Sequence, residues 1–244
     1  MPAALNFVDV CKHYRGVPAL QDASFEVEQG AFFGLAGVNG AGKTTLIKCL
    51  LDLCAPDSGR IEIFGRPSTE VASRERLTFL PERFMPPYYL TGRAFLRMMA
   101  GLRGARYDEN AALAMLERLE LDPRVLDRQV RGYSKGMTQK LGLAGCLLAD
   151  CDLVLLDEPM SGLDPLARAL VKGLLRDLRR AGRTLFFTSH ALADLEEICD
   201  RLAVLHEGRI RFMGTAAAMR AFAPEGDLES AFLRVIGADG LVSA

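Results

Sequence analysis

The sequence predicts an α/β fold: a core with a mostly parallel sheet and flanking helices, an N-terminal antiparallel β subdomain and a helical insert. Three observations predict it. Short apolar strands alternate with helical stretches at both ends of the chain, a glycine-rich loop joins one strand to a helix, and the middle turns almost wholly helical. The core is expected over 1–82 and 149–215, the helical subdomain over 83–148 and a short tail over 216–244.

Leu5 to Val10 and Ala23 to Val27 alternate apolar and polar residues, which suits half-buried strands of the antiparallel sheet. Ala31 to Ala36 is a short apolar run ahead of the glycine-rich loop, and Thr44 to Leu53 reads as the helix after it. Arg60 to Phe64, followed by Gly65, returns to alternation. From Arg83 to about Leu148 the period is helical, interrupted by loops. Leu113, Leu116 and Leu119 leave Glu117, Arg118 and Glu120 on an outer face, and Pro123 is expected to close that helix. Leu153 to Leu156 is continuously apolar, as in a strand buried on both faces. Asp164 and Pro165 open a helix as N-cap and first-turn proline, and Gly182 closes it. Thr184 to Thr188 is the next strand, and Leu202 to Leu205 with Ile210 to Met213 reads as a hairpin around His206 to Arg209.

With half of its 244 residues hydrophobic, the chain has ample material for one packed core. Acidic residues number 31 against 30 Lys and Arg, a net charge of −1. That balance lacks the basic excess phosphate-backbone binding needs, so nucleic acid is not an expected partner. Met1 to Asn6 has neither the charged nor the apolar region of a signal peptide. The longest stretch without charge in the apolar middle, Leu141 to Ala149, is nine residues, against about twenty for a bilayer span. Any membrane role is therefore expected to come through a partner. Six cysteines show no C-x-x-C pair and read as small buried hydrophobes in a reducing compartment.

Gly37-Val-Asn39-Gly40-Ala-Gly42-Lys43-Thr44-Thr45 fits G-x-x-x-x-G-K-[ST], between a strand and a helix as the motif requires. The fold class sharpens accordingly to a P-loop NTPase core. Glycines let successive N–H groups curl towards phosphate, and the helix N-terminus adds partial positive charge. Lys43 brings a full charge to the β- and γ-phosphates, and the Thr44 hydroxyl can coordinate Mg²⁺. Nucleotide binding follows.

Leu153 to Pro159 ends an apolar strand with Asp157 and Glu158. Taken alone, the pair reads equally as the acidic start of a helix. Joined to the phosphate loop, it places Asp157 to hold Mg²⁺, directly or through water, and Glu158 to polarise an attacking water. Beyond it lie Ser161-Gly-Leu-Asp164 and Ser189-His190; a histidine at a strand end is by position alone more often structural.

The ordered set of phosphate loop, helical insert, Tyr133-Ser134-Lys135-Gly136-Met137, Leu-Leu-Asp-Glu-Pro, Ser-Gly-Leu-Asp and Ser-His resembles the nucleotide-binding domain of ABC transporters, from about Leu5 to Gly214. The resemblance implies ATP and Mg²⁺ as cofactors. It implies that Tyr14, otherwise an ordinary strand-edge tyrosine, stacks on adenine. It makes Glu158 the catalytic base, His190 the sensor of the γ-phosphate, and Asp164 part of a loop that communicates across a dimer. Ser134 and Gly136 match the signature that serves a partner subunit's ATP, so two copies, or this chain and a similar ATPase, would pack head to tail.

Two positions depart from the family's commonest pattern. Lys135 stands where a glycine is usual, leaving its contact open. Glu82 replaces a glutamine, and its carboxylate would meet Mg²⁺ or water. Both variants resemble those of exporter ATPases whose permeases are separate chains. The apolar run from Glu82 to Tyr89 is accordingly expected to dock an integral membrane permease, with the chain cytoplasmic and peripheral on the inner face of the cell membrane. A soluble ABC ATPase acting in cofactor or complex assembly is the alternative.

Overall fold

The computed structural model describes residues 2–223 and 226–237. The chain opens with β1 (Ala3–Tyr14), β2 (Val17–Glu28), β3 (Phe32–Ala36), α1 (Lys43–Leu50), β4 (Ser58–Ile63), β5 (Arg66–Pro67) and α2 (Val71–Arg74). The middle carries β6 (Leu77–Leu80), α3 (Gly92–Leu102), α4 (Glu109–Arg118), two 3₁₀ turns, α5 (Lys135–Leu147), β7 (Leu153–Asp157) and α6 (Pro165–Arg180). Then follow β8 (Thr184–Ser189), α7 (Leu192–Ile198), β9 (Arg201–His206), β10 (Arg209–Gly214), α8 (Ala216–Arg220) and α9 (Leu228–Val235). The expected α/β class stands. Among the described residues no helix is long and apolar enough to cross a membrane.

The chain divides into two compact units, Met1–Arg74 with Gly182–Ala244, and Glu75–Ala181. In the first, an antiparallel sheet of order β2-β1-β4-β5 accompanies parallel strands β9-β3-β8, with β10 antiparallel to β9. Aromatic rings join the two layers. Phe7 stacks on Phe25 at 4.4 Å, Phe25 on Phe33 at 5.5 Å, and Phe33 on Phe186 at 6.0 Å. All four are buried, so alternation on β1 and β2 meets the wholly buried β3 and β8 in one stack. Gly34 lets α7 lie close on β3: a Cβ there would be 2.8 Å from Leu195 Cδ2.

The second unit pairs β6 and β7 in parallel, Leu77 with Leu153 through Leu80 with Leu156. Gly142 of α5 admits Leu80 and Phe84, whose atoms would sit 2.7 Å from a Cβ. Asp164 caps α6 by accepting from the Ala167 N–H at 2.8 Å, Pro165 takes the first turn, and Gly182 follows the helix at φ 68.

Two expectations give way. The helix read over Thr44 to Leu53 ends at Leu50, because Asp52 adopts φ 57 and Leu53 N–H turns back to Lys48 O at 2.9 Å. Pro123 does not close α4, which ends at Arg118; it opens the 3₁₀ turn Pro123–Asp127, where its missing N–H is not needed.

Removing one ring from the stack leaves a cavity between layers. Phe33→Ala is expected to lower stability by about 3–5 kcal/mol, read as a lower midpoint in denaturant unfolding.

Candidate functional site

The phosphate loop leaves the buried end of β3 and enters α1. Its shape demands glycine at two places. A Cβ on Gly37 would lie 2.5 Å from Leu205 O, and one on Gly42 would lie 2.5 Å from Ala19 O. Gly42 also holds φ 111 and Gly40 φ 81, where side-chain-bearing residues are strained. Gly208 N–H donates to Ala41 O at 3.0 Å, tying the loop to the β9–β10 turn. Lys43 is 8% exposed and bends back, its ammonium donating to Gly37 O at 2.5 Å and to Val38 O at 3.4 Å. α1 begins with no side-chain cap at Gly42 and no acidic residue in its first turn, so its N-terminal N–H groups and dipole suit an anion. Asn39, Gly40 and Thr44 are exposed, and Thr45 is half-buried.

Tyr14 ends β1 at a two-residue hairpin whose central residues, Arg15 and Gly16, have φ 52 and φ 81. Its ring is partly exposed and its hydroxyl donates to Cys54 Sγ at 3.6 Å; that bond and burial hold the phenol above its ordinary pKa. Lys12 Nζ lies 5.7 Å from the ring centroid. Asp57 braces this strand end. It accepts from Lys12 Nζ at 2.8 Å and from His13 N–H at 2.6 Å, and the Lys12 bond above all lowers its carboxyl to about 2. In this same unit Ala36 pairs with Ser189, so Gly37 and the exposed His190 leave the same ends of adjacent strands.

The other unit holds the remaining residues. Leu80 pairs with Leu156, so Glu82 and Asp157 likewise follow neighbouring strand ends. Asp157 and Glu158 are buried, and Glu158 carries φ 49, a left-handed residue that turns the chain as it leaves the strand. Glu82 is exposed. Ser134 caps α5, its hydroxyl accepting from Met137 N–H at 3.2 Å. A Cβ on Gly136 would meet nothing within 4 Å; the chain's own packing leaves that space open. Lys135, whose contact the motif left undefined, lies along Gly162, where a Cβ would be 2.7 Å from its Cε. Asp164 spends its carboxylate on capping α6.

Sequence reading overlooked Gln139, whose buried amide donates to Pro159 O at 3.0 Å and ties α5 to the segment after Glu158. A polar residue on the otherwise apolar face shared with Leu143 and Cys146 was its signal. It also overlooked Asp57, which nothing local distinguishes from a turn aspartate. Among the described residues no three His, Cys, Asp or Glu side chains cluster as a preformed metal site. The glycine-cradled loop fits a nucleotide's phosphates; the Thr44 hydroxyl beside it, and in the other unit the Asp157 and Glu82 carboxylates, are each hard oxygens of the type Mg²⁺ takes.

A family model described as ABC transporter matches residues 20–161. An uncharacterized ABC transporter ATP-binding protein of Synechocystis is 42% identical over 204 residues, 82% of this chain. The match spans 58% of that relative's own length. The Nod factor export ATP-binding protein I of Burkholderia orbicola is 38% identical over 211 residues, 85% of this chain and 69% of that protein. A solved structure of the ATP binding subunit of an ABC transporter, 29% identical, superimposes with a TM-score of 0.86, over 95% of this chain and 99% of the other.

The brace at Asp57 has a pH signature. Its folded-state pKa lies below the unfolded value of about 3.9, so its contribution to stability is present above that value and is lost as pH falls through about 2. Asp57→Asn is therefore expected to unfold more readily than the parent near pH 5, with the gap closing between about pH 4 and pH 2 in denaturant titrations.

Proposed function

The chain belongs to the ABC transporter family, and from that membership we propose that it is the ATP-hydrolysing subunit of an exporter, driving a separate membrane permease through a head-to-tail dimer. The observation that carries hydrolysis, beyond binding, is Glu158: a carboxylate 8% exposed at a strand's end, on a backbone held at φ 49. A base kept from water and fixed in direction is placed to take a proton from one attacking water molecule.

The other residues take roles around it. Lys43 exchanges the Gly37 and Val38 carbonyls, both neutral acceptors, for charged β- and γ-phosphate oxygens, which make the stronger hydrogen bonds. The α1 N-terminus adds its backbone donors. Tyr14 offers its ring face to adenine. His190, leaving the strand end beside the loop, donates to the γ-phosphate. Thr44, Asp157 and Glu82 would hold Mg²⁺, which when bound neutralises charge developing on the phosphates.

Ser134 and Gly136 face outward as a second anion site, for the ATP of a second copy or of a similar ATPase. The open space at Gly136 supports this, since it serves no packing within the chain. Lys135 resting on Gly162 links the signature helix to the loop ending at Asp164, so movement of one carries the other. Phe84 turns inward against Phe95 at 5.5 Å. That leaves Met85, Tyr88 and Tyr89, exposed by 84, 69 and 63%, as the permease contact within Glu82–Tyr89. Such a partner would keep the chain peripheral on the cytoplasmic face of the membrane.

Glu158→Gln is expected to slow phosphate release by about 10²–10⁴-fold while ATP still binds; turnover at the parental rate would remove Glu158 from the mechanism. Replacing both Tyr88 and Tyr89 by Asp is expected to abolish co-purification of a multi-span protein with the tagged chain while leaving ATPase activity intact. Recovery of both the parent chain and the Glu158→Gln form held with ATP wholly in the soluble fraction would sink the transporter reading.

A further inference from the structure

Two cysteine sulfurs meet beside the tyrosine that the first hairpin presents. Cys49 Sγ lies 3.5 Å from Cys54 Sγ, and Cys54 Sγ accepts the Tyr14 hydroxyl at 3.6 Å. Both thiols are free. Cys49 sits in the last turn of α1, the helix that begins at Lys43. The reversal at Asp52 brings Cys54 back to that turn, and Cys54 N–H donates to Lys48 O at 3.3 Å. The backbone thus already holds the pair in register.

We propose that Cys49 and Cys54 form a redox-modification site, a dithiol that a hydroperoxide oxidises to a disulfide, and that its closure weakens ATP binding by releasing Tyr14. The effect on binding rests on reading Tyr14 as the adenine platform; formation of the disulfide does not.

The chemistry balances on these two sulfurs and one peroxide. Cys54 is the more exposed of the two and attacks first. Its thiolate bonds to the distal peroxide oxygen, the O–O bond breaks, and with hydrogen peroxide the leaving group departs as water. Cys49 sulfur then attacks the sulfur of the Cys54 sulfenic acid. The S–S bond forms, the S–O bond breaks, and a second water carries away the Cys49 proton. Two thiols lose two electrons and two protons, and one peroxide becomes two waters. Burial pushes the Cys49 thiol up to about 12, so it does not compete for the peroxide and reacts only once the Cys54 sulfenic acid lies against it. Closure from 3.5 Å to a disulfide's ~2.05 Å moves the sulfurs together by about 1.5 Å. The acceptor of the Tyr14 hydroxyl shifts by a comparable amount, and α1 is stapled to the segment that follows it.

The experiment treats the chain with hydrogen peroxide, blocks remaining thiols with iodoacetamide and digests with trypsin. Cleavage after Lys48 and Arg60 leaves both cysteines on one peptide, Cys49 to Arg60. That peptide is expected two hydrogens lighter and unalkylated, and restored by dithiothreitol. Affinity for the slowly hydrolysed analogue ATPγS, read by calorimetry, is expected to fall by about fivefold or more on oxidation, the low end of the cost of losing a base-stacking ring. Cys49→Ala keeps the Tyr14–Cys54 bond and is expected to bind like the parent with no response to peroxide. Two alkylated cysteines after peroxide treatment would overturn the dithiol site. A disulfide that leaves affinity unchanged would overturn its control of binding. Tyr14→Ala separates the two readings: undiminished affinity there refutes the adenine platform, while the lighter peptide, which needs no tyrosine ring, still reports the site.

Discussion

Two backbone oxygens crowd the phosphate loop from opposite sides, Leu205 O at Gly37 and Ala19 O at Gly42, each 2.5 Å from where a Cβ would begin. This steric constraint ties the loop to β2 and to the β9–β10 hairpin. It admits no side chain at either point, and the resulting curl is what turns backbone donors and Lys43 to one side. The aromatic stack from Phe7 to Phe186 serves the same end by fixing the antiparallel sheet over β3, and so the walls between which the loop must fit.

Each compact unit repeats one arrangement: paired parallel strands release a pair of candidate site segments at their carboxyl ends. Ala36 beside Ser189 launches the loop and His190; Leu80 beside Leu156 launches Glu82 and the Asp157–Glu158 pair. A parallel ladder places such ends level with one another without any contact between the side chains that follow. Position is therefore set by the strands and chemistry by the residues just past them.

Where one residue imposes the local geometry, the sequence was readable. Gly37 and Gly42 marked the loop, the unbroken run Leu153 to Leu156 marked a doubly buried strand, and Asp164-Pro165 with Gly182 bounded α6. Features set by partners distant in sequence were not readable. The Lys12-His13-Tyr14 end of β1 shows no alternation, yet pairing of His13 with Pro18 makes it strand. The end of α1 depends on Asp52 entering the left-handed region, for which a helical periodicity carries no mark. The meeting of Cys49, Cys54 and Tyr14, and the Gln139 bond to Pro159, arise only when separate elements are packed. Lys135 was visible as a departure, while its seat on Gly162 was not.

The empty space beside Gly136 bears on how such a chain can be improved. Glycine is less favourable than alanine by about 1 kcal/mol in a helix interior and by less in the first turn, where Gly136 stands, and an added methyl there meets nothing within 4 Å. Selection of this chain for thermal robustness alone would therefore drift towards alanine at the mouth of its signature helix. On the proposed reading, the use of that glycine lies in an assembly that an isolated-subunit assay never forms. If so, heat tolerance and motor competence pull that codon in opposite directions, and directed evolution has to be scored on the second.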